Sequence, residues 1–194
     1  MILAICGYKQ AGKTTFASRF EAVGFLRRPL AAPLKDMLRV GFGLTPAQLY
    51  GDEKEVPCAA LGGKTPRHAM ETLGTEWGRE HLGHSAWIGA WRNTSSMSRD
   101  LVVDDLRFPN EAIELLALGA YFIRVERDGT EPTGEVHESE AYAHRLPVDF
   151  VIPNTTTVDF LTEAAEGLLA DLENVPGRGT PRIADFRALL EELR

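Results

Sequence analysis

Apolar positions along the chain fall into two kinds of run. Short, nearly continuous stretches at Ile2 to Cys6, Leu101 to Asp104, Tyr121 to Glu126 and Asp149 to Ile152 have the length and side-chain types of buried strands, and a further short one lies around Gly24 to Arg27. Between them the spacing turns helical. Helices are predicted at 13–22, 66–82, 109–118 and 158–172. The last puts Val158, Leu161, Ala165, Leu168 and Leu172 on one face, and the helix at 66–82 opens with Pro66 directly after Thr65. This alternation predicts an α/β fold, a parallel sheet with helices on both faces.

The segment at about 30–98 breaks the alternation. It carries helical stretches at Pro33 to Phe42 and Pro46 to Tyr50 but little strand pattern, so a helical substrate-binding insert is expected there. Asp128 to Gly134 is rich in turn formers without apolar periodicity and suits a small lid, about 127–144. The main domain is expected to span 1–173. Residues 174–194 read as a linker, Asn174 to Pro181, and an amphipathic helix with Ile183, Phe186, Leu190 and Leu193 in step, docked on the domain or on the second subunit of a homodimer.

With 194 residues, 44% hydrophobic and 25% charged, the composition is that of one globular domain, which excludes a disordered or membrane-embedded chain. The net charge of −7 and a pI near 5.3 argue against direct nucleic-acid binding, which needs an excess of basic residues to neutralise phosphates. Cys6 and Cys58 are too few for a disulfide framework. No stretch approaches the roughly 20 apolar residues that span a bilayer, and the apolar start is too short for a signal peptide, so a cytoplasmic protein without a membrane partner is expected.

The sharpest chemical signal is Gly7-Tyr8-Lys9-Gln10-Ala11-Gly12-Lys13-Thr14, which fits G-x-x-x-x-G-K-[ST] at every specified position. It follows a strand and opens a helix, the setting in which successive backbone N–H groups and a helix N-terminus face one anion. Gly7 and Gly12 let the backbone bend around phosphate, Lys13 brings positive charge to the β- and γ-phosphates, and the Thr14 hydroxyl is a ligand for Mg²⁺. Lys9 adds a second cation to the loop. Cys6, just before it, reads as a packed strand residue.

Such a loop needs a carboxylate near the metal, at a neighbouring strand end. Leu101-Val102-Val103-Asp104-Asp105 supplies two, and Asp105, beside Leu106-Arg107, ranks above Asp104. Arginines recur in segments expected to border the same edge: Arg67 and Arg79 in the insert, Arg107 after the carboxylates, and Arg124 and Arg127 after the next strand. Several guanidiniums around one cleft would recognise a second phosphate, and Arg107 and Arg127 lead by position. His81 and His84 have no companions that would complete a zinc site.

Together these residues resemble the phage-type deoxynucleoside monophosphate kinases, a branch of the P-loop nucleotide kinases. The similarity runs through Gly7 to Thr15, Ala32-Pro33-Leu34-Lys35, Leu73-Gly74-Thr75-Glu76-Trp77-Gly78-Arg79, Asp105-Leu106-Arg107-Phe108-Pro109-Asn110-Glu111, Arg127, His137-Glu138-Ser139-Glu140 and Val151-Ile152-Pro153-Asn154. It implies the three-layer P-loop kinase fold, with ATP and Mg²⁺ at the loop and a deoxynucleoside monophosphate against the insert. ATP would be held by Gly7, Lys9, Ala11, Gly12, Lys13, Thr14, Thr15 and Asn154, and the metal by Thr14 and Asp105. Lys35, Arg67, Glu76, Trp77, Arg79, His137 and Glu140 fall to the acceptor, and Lys13, Asp105, Arg107 and Arg127 to catalysis. Relatives often have Lys-Asp-Thr where this chain has Lys13-Thr14-Thr15, so either threonine is open as the metal ligand. The rivals are a kinase for another small phosphorylated metabolite, similar to dephospho-coenzyme A kinase, and a nucleotide-dependent switch or motor. The absence of Asn-Lys-x-Asp and the short, acidic chain disfavour the last two. Localisation would be the host cytoplasm for a phage-encoded chain.

Overall fold

The structure, a computed structural model, describes residues 1–131, 138–155 and 158–174. Contacts divide the chain into two compact units, one formed by Met1–Pro29 with the chain from Ser96 onward, the other by Leu30–Ser95. In chain order the first unit begins with β1 (Ile2–Cys6), α1 (Lys13–Ala22) and β2 (Leu26–Arg27). The second holds α2 (Ala32–Phe42), α3 (Pro46–Tyr50), α4 (Pro66–Thr72), a π-helical stretch (Leu73–Leu82) and α5 (Ala86–Thr94). The first then resumes with β3 (Leu101–Val103), α6 (Pro109–Ala117), β4 (Tyr121–Glu126), α7 (Glu138–Arg145), β5 (Phe150–Pro153) and α8 (Val158–Asn174).

The five strands form one sheet in the order β2-β3-β1-β4-β5, every pairing parallel. β1 is central, with Leu3 opposite Val102 on one side and Tyr121 on the other. The side chains obey the period of two: Leu3, Ile5, Val102, Ile123 and Val125 share one buried cluster with Phe16, Ala17 and Phe20 of α1 and Leu161, Ala165, Leu168 and Leu172 of α8. The alternate residues Ala4, Cys6, Leu101, Val103 and Phe122 are buried as well. An all-parallel sheet requires both faces covered, and the continuous apolar strands of the sequence are its signature. Each fully buried Leu, Ile or Phe contributes about 1.5–3 kcal/mol.

The Leu30–Ser95 unit packs Leu34, Leu38, Leu44, Leu49 and Trp87 into a core of its own. Two of its helices start where local chemistry says they should. The Thr45 hydroxyl accepts from the Gln48 N–H while the Gln48 side chain accepts from the Thr45 N–H, and Pro46 follows the cap. The Thr65 hydroxyl caps α4 by accepting from the His68 N–H, ahead of Pro66, without the reciprocal bond.

One predicted element needs correction. The spacing at 66–82 predicts a single α-helix, whereas α4 ends at Thr72 and the chain continues as a π-helix over Leu73–Leu82. The Trp87 indole explains the change. Its Nε1 donates to the Gly74 carbonyl at 2.8 Å, and a Cβ on Gly78 would lie 2.1 Å from the same nitrogen. The bulky ring is thus driven against the helix backbone, and the wider π spacing accommodates it; the Gly83 N–H closes the stretch on the Gly78 carbonyl at 3.1 Å. The predicted tail helix at 183–193, and the part of the predicted lid at 132–137, lie outside the described residues. Among the described residues no helix is long and apolar enough to cross a membrane.

Candidate functional site

The carboxyl end of β1 runs into the glycine-rich loop, which delivers the chain to the N-terminus of α1. Two of its positions admit no side chain. A Cβ on Gly7, at φ 132°, would lie 2.3 Å from the Val125 carbonyl oxygen, and one on Gly12, at φ 99°, would lie 2.5 Å from Asn154 Nδ2. Gln10, at φ 68°, is the one non-glycine residue in the left-handed region among those described. That conformation costs on the order of 1 kcal/mol and is typical of loops shaped for a ligand. The Lys13 ammonium donates to the carbonyls of Gly7 at 2.7 Å and Tyr8 at 2.6 Å, which curls the side chain back over the loop. A cavity of about 290 Å³ is lined by Gln10, Gly12, Lys13, Thr14, Thr15 and Arg127.

Asn154, at the end of β5, braces this loop. Its Nδ2 donates to the Ala11 carbonyl at 2.9 Å, and its backbone N–H to Glu126 at 2.6 Å. The resemblance assigns Asn154 to ATP; in the structure its amide holds the loop that would hold ATP.

The carboxylate that meets the loop is Asp104. The Thr14 hydroxyl donates to its Oδ2 at 3.0 Å, whereas the sequence reading ranked Asp105 first. Strand alternation accounts for the choice. Val102 faces the α1 side of the sheet, so position 104 returns to that side while 105 does not. Asp104 is 5% exposed, and its Oδ1 is buried without a hydrogen-bond partner. The sequence reading missed its companion: Arg27, the last residue of β2, donates from Nη2 to the same Oδ2 at 2.5 Å and reaches the Thr14 hydroxyl oxygen at 3.4 Å. Burial alone would lower the Arg27 pKa, but the hydrogen bond and charge of Asp104, helped by Glu21 and Asp105, raise it above the usual arginine value. The signal that would have found Arg27 is its place at a strand end beside β3, since such ends collect ligand-binding groups.

Glu111 shapes the next segment. Its carboxylate accepts from the N–H groups of Arg107 at 3.2 Å and Phe108 at 3.1 Å, capping α6, while buried Leu106 donates its N–H to Ile5 at 3.3 Å. The backbone of Arg107 is therefore anchored next to the end of β1. Arg124 pairs with Glu126 on the same strand at 2.7 Å and ties β4 to the carbonyls of His144 and Leu146. Arg127 is exposed and borders the loop cavity. Burial pushes the Cys6 thiol up to about 12 against the smaller pull of Arg124 and Lys13, so Cys6 is a protonated core residue rather than a nucleophile.

The residues assigned to an acceptor lie elsewhere. Lys35, Arg67, Glu76, Trp77 and Arg79 all belong to the Leu30–Ser95 unit. Lys35 sits 4.0 Å above the Tyr50 ring, Arg67 pairs with Glu55 at 3.0 Å, and Arg79 donates to the His84 carbonyl at 3.5 Å. Glu76 and Trp77 are exposed on the π-helical stretch, while Trp87 and Trp91 are core. His137 lies outside the described residues, as does the side chain of Glu140.

No family model matches the chain. The crystal structure of TT1252 from Thermus thermophilus superposes with a TM-score of 0.50 at 17% identity, over 89% of this chain and 97% of that one, which shows a shared fold. A protein of Acanthamoeba polyphaga mimivirus named "Putative deoxynucleotide monophosphate kinase" is 30% identical over 176 residues, 82% of this chain and 91% of that protein. On that identity and coverage, the chain belongs to the deoxynucleotide monophosphate kinase family and is a phosphotransferase.

Proposed function

We propose that the chain transfers the γ-phosphoryl group of ATP to the 5′-phosphate of a deoxynucleoside monophosphate, releasing ADP and the deoxynucleoside diphosphate. The observation that carries this reading is the assembly at the sheet's carboxyl edge: a glycine loop shaped for an anion, Lys13 over it, and the Thr14 hydroxyl with its proton on Asp104. The name of the mimivirus relative supports the acceptor class.

The residues fit a divalent cation. With its hydrogen bond donated to Asp104 and one weak bond accepted from Arg27, the Thr14 oxygen keeps a lone pair for a metal, and Asp104 Oδ1 is a buried acceptor without a partner that suits a metal-bound water. Thr14 and Asp104 are thus the residues that would hold Mg²⁺, which when bound neutralises charge on the β- and γ-phosphate oxygens. The reaction itself asks little covalent work of the protein. An acceptor phosphate oxygen attacks the γ-phosphorus, the bond to the β–γ bridging oxygen breaks, and ADP leaves with the electron pair. The acceptor is already an ionised nucleophile, so the task is to align two polyanions and offset their repulsion. Loop N–H groups and Lys13 hold the donor phosphates, and Arg127, bordering the same cavity, supplies charge near the transferred group. Glu111 keeps the Arg107 backbone in place for the same purpose.

The test is an assay with ATP, Mg²⁺ and each common deoxynucleoside monophosphate, run beside dephospho-coenzyme A. The expected product is a deoxynucleoside diphosphate formed one-for-one with ADP. Phosphorylation of dephospho-coenzyme A alone would replace this reading.

A further inference from the structure

Neither member of the pair between half-buried Arg27 and buried Asp104 is fully used. Arg27 engages through Nη2 alone, and its Nε is buried without a partner; on Asp104 both hydrogen bonds fall on Oδ2, and Oδ1 has none. A guanidinium serving only structure normally meets a carboxylate with its planar fork, two N–H groups to two oxygens. Here it takes the oxygen already used by Thr14 and leaves the other unspent, in a residue 5% exposed. Leaving a buried carboxylate oxygen unpaired forfeits its solvation without return, a cost that persists where a ligand later meets the group.

We propose that Arg27 is a positioning residue for the divalent cation: its ion pair fixes the Asp104 carboxylate through Oδ2 and so reserves Oδ1 for the metal's hydration shell. The proposal rests on the reading that Thr14 and Asp104 hold Mg²⁺ with a nucleotide, and adds to it a residue on a further strand, β2. β2 is the edge strand, joined to β3 with Arg27 opposite Val102, so the support reaches Asp104 from beside the strand that carries it. Partners of this outer kind orient a ligand without touching the metal, and removing one typically weakens metal affinity about 10- to 100-fold. A competing use of the same contacts is that Arg27, 3.4 Å from the Thr14 oxygen, substitutes for the cation and must be displaced by it. The unspent Oδ1 favours positioning, because a stand-in cation would be expected to satisfy both oxygens.

The experiment titrates Mg²⁺ against binding of a fluorescent, non-hydrolysable ATP analogue to the full chain, for wild type, Arg27→Gln, Arg27→Lys, Asp104→Asn and the double variant Arg27→Gln/Asp104→Asn. Thermal melting of each reports folding. The expected result is a Mg²⁺ midpoint raised about tenfold or more in Arg27→Gln and partly restored in Arg27→Lys, with analogue affinity in EDTA unchanged. The effect of Arg27→Gln should also vanish when Asp104→Asn is already present, as it must if Arg27 acts through Asp104. An unchanged or lowered midpoint in Arg27→Gln overturns the proposal, the lowered one in favour of a displaced stand-in. Parallel loss of affinity in EDTA also overturns it, since Arg27 would then touch phosphate itself. If Arg27→Gln does not fold, Arg27→Lys decides by the same criterion, with a smaller rise expected. Wild-type binding that ignores Mg²⁺ removes the metal reading and this proposal with it, whereas a Mg²⁺-dependent wild type with indifferent variants removes the proposal alone.

Discussion

The unit around the sheet and the Leu30–Ser95 unit spend their polar groups differently. In the first, contacts at the candidate site join residues far apart in sequence: Thr14 to Asp104, Arg27 to Asp104, Asn154 to Ala11. In the second, the assigned acceptor residues make contacts within short stretches of chain, among them Arg67 to Glu55 and Glu71, Arg79 to His84, and Lys35 to Tyr50. A triphosphate has one shape, so a site for it can be set by backbone and by buried, long-range braces. On the proposed function, recognition of one acceptor among several similar ones would fall to side chains on a locally organised surface. The two halves should therefore fail differently when altered. The largest failure is expected at Lys13. Lys13→Ala should lower kcat by at least about two orders of magnitude, the scale for losing a charge contact to the transition state, with acceptor KM nearly unchanged. A folded Lys13→Ala enzyme with near-normal turnover would break the comparison at its strongest point.

Next in size is Gly7→Ala. The added methyl would meet the Val125 carbonyl at 2.3 Å in a left-handed conformation, so the loop must move. Strain of this kind costs about 1–3 kcal/mol, which predicts roughly a tenfold or greater loss of nucleotide affinity by equilibrium binding. Gly129, also at positive φ but with open space around it, is the control: Gly129→Ala carries the conformational cost without the collision and should leave nucleotide affinity within about twofold.

This difference also governs what the sequence discloses. The glycine loop, its lysine and the strand–helix alternation are legible because they need certain residue types at fixed spacing. The choice of Asp104 over Asp105 was within reach through strand alternation from Val102, but it required knowing which face of the sheet α1 covers. Arg27 was harder to single out: the short run that ends on it was legible, but its partner lies 77 positions away and nothing in the spacing joins the two. The π-helical stretch was hidden for another reason. Its residues read as an ordinary helix, and the ring that reshapes it, Trp87, arrives from α5.

Trp87 gives the comparison its counterpart in the second unit. Trp87→Phe keeps an aromatic ring in the core but removes the N–H that the Gly74 carbonyl receives. A lost hydrogen bond of this kind costs about 1 kcal/mol, so melting should fall by a few degrees. Glu76, Trp77 and Arg79 lie on the stretch it supports, and acceptor KM should rise several-fold while ATP KM holds. A rise confined to ATP KM would reverse the division of labour.

The smallest effect is expected from the two thiols, one in each unit. Cys6 is buried in β1 and Cys58 is half-buried in the Leu30–Ser95 unit. With its pKa pushed to about 12 by burial, Cys6 holds its proton in the folded chain, while the same thiol in an unfolded chain releases it near 9.0. Below pH 9 both states are protonated and Cys6 adds no pH dependence. As pH climbs from 9 toward 12 the unfolded state sheds its proton first, so this thiol favours unfolding progressively through that window. At pH 8, iodoacetamide should therefore label Cys58 in the native protein and reach Cys6 only after denaturant is added, as read by peptide mass spectrometry. Because Cys58 belongs to a different compact unit from Lys13, Thr14 and Asp104, analogue binding by the modified protein should change by less than about twofold, within the range of an ordinary surface change. Native labelling of Cys6 would show that the strand beneath the phosphate loop opens on its own, and the rigid brace inferred for that half would not hold.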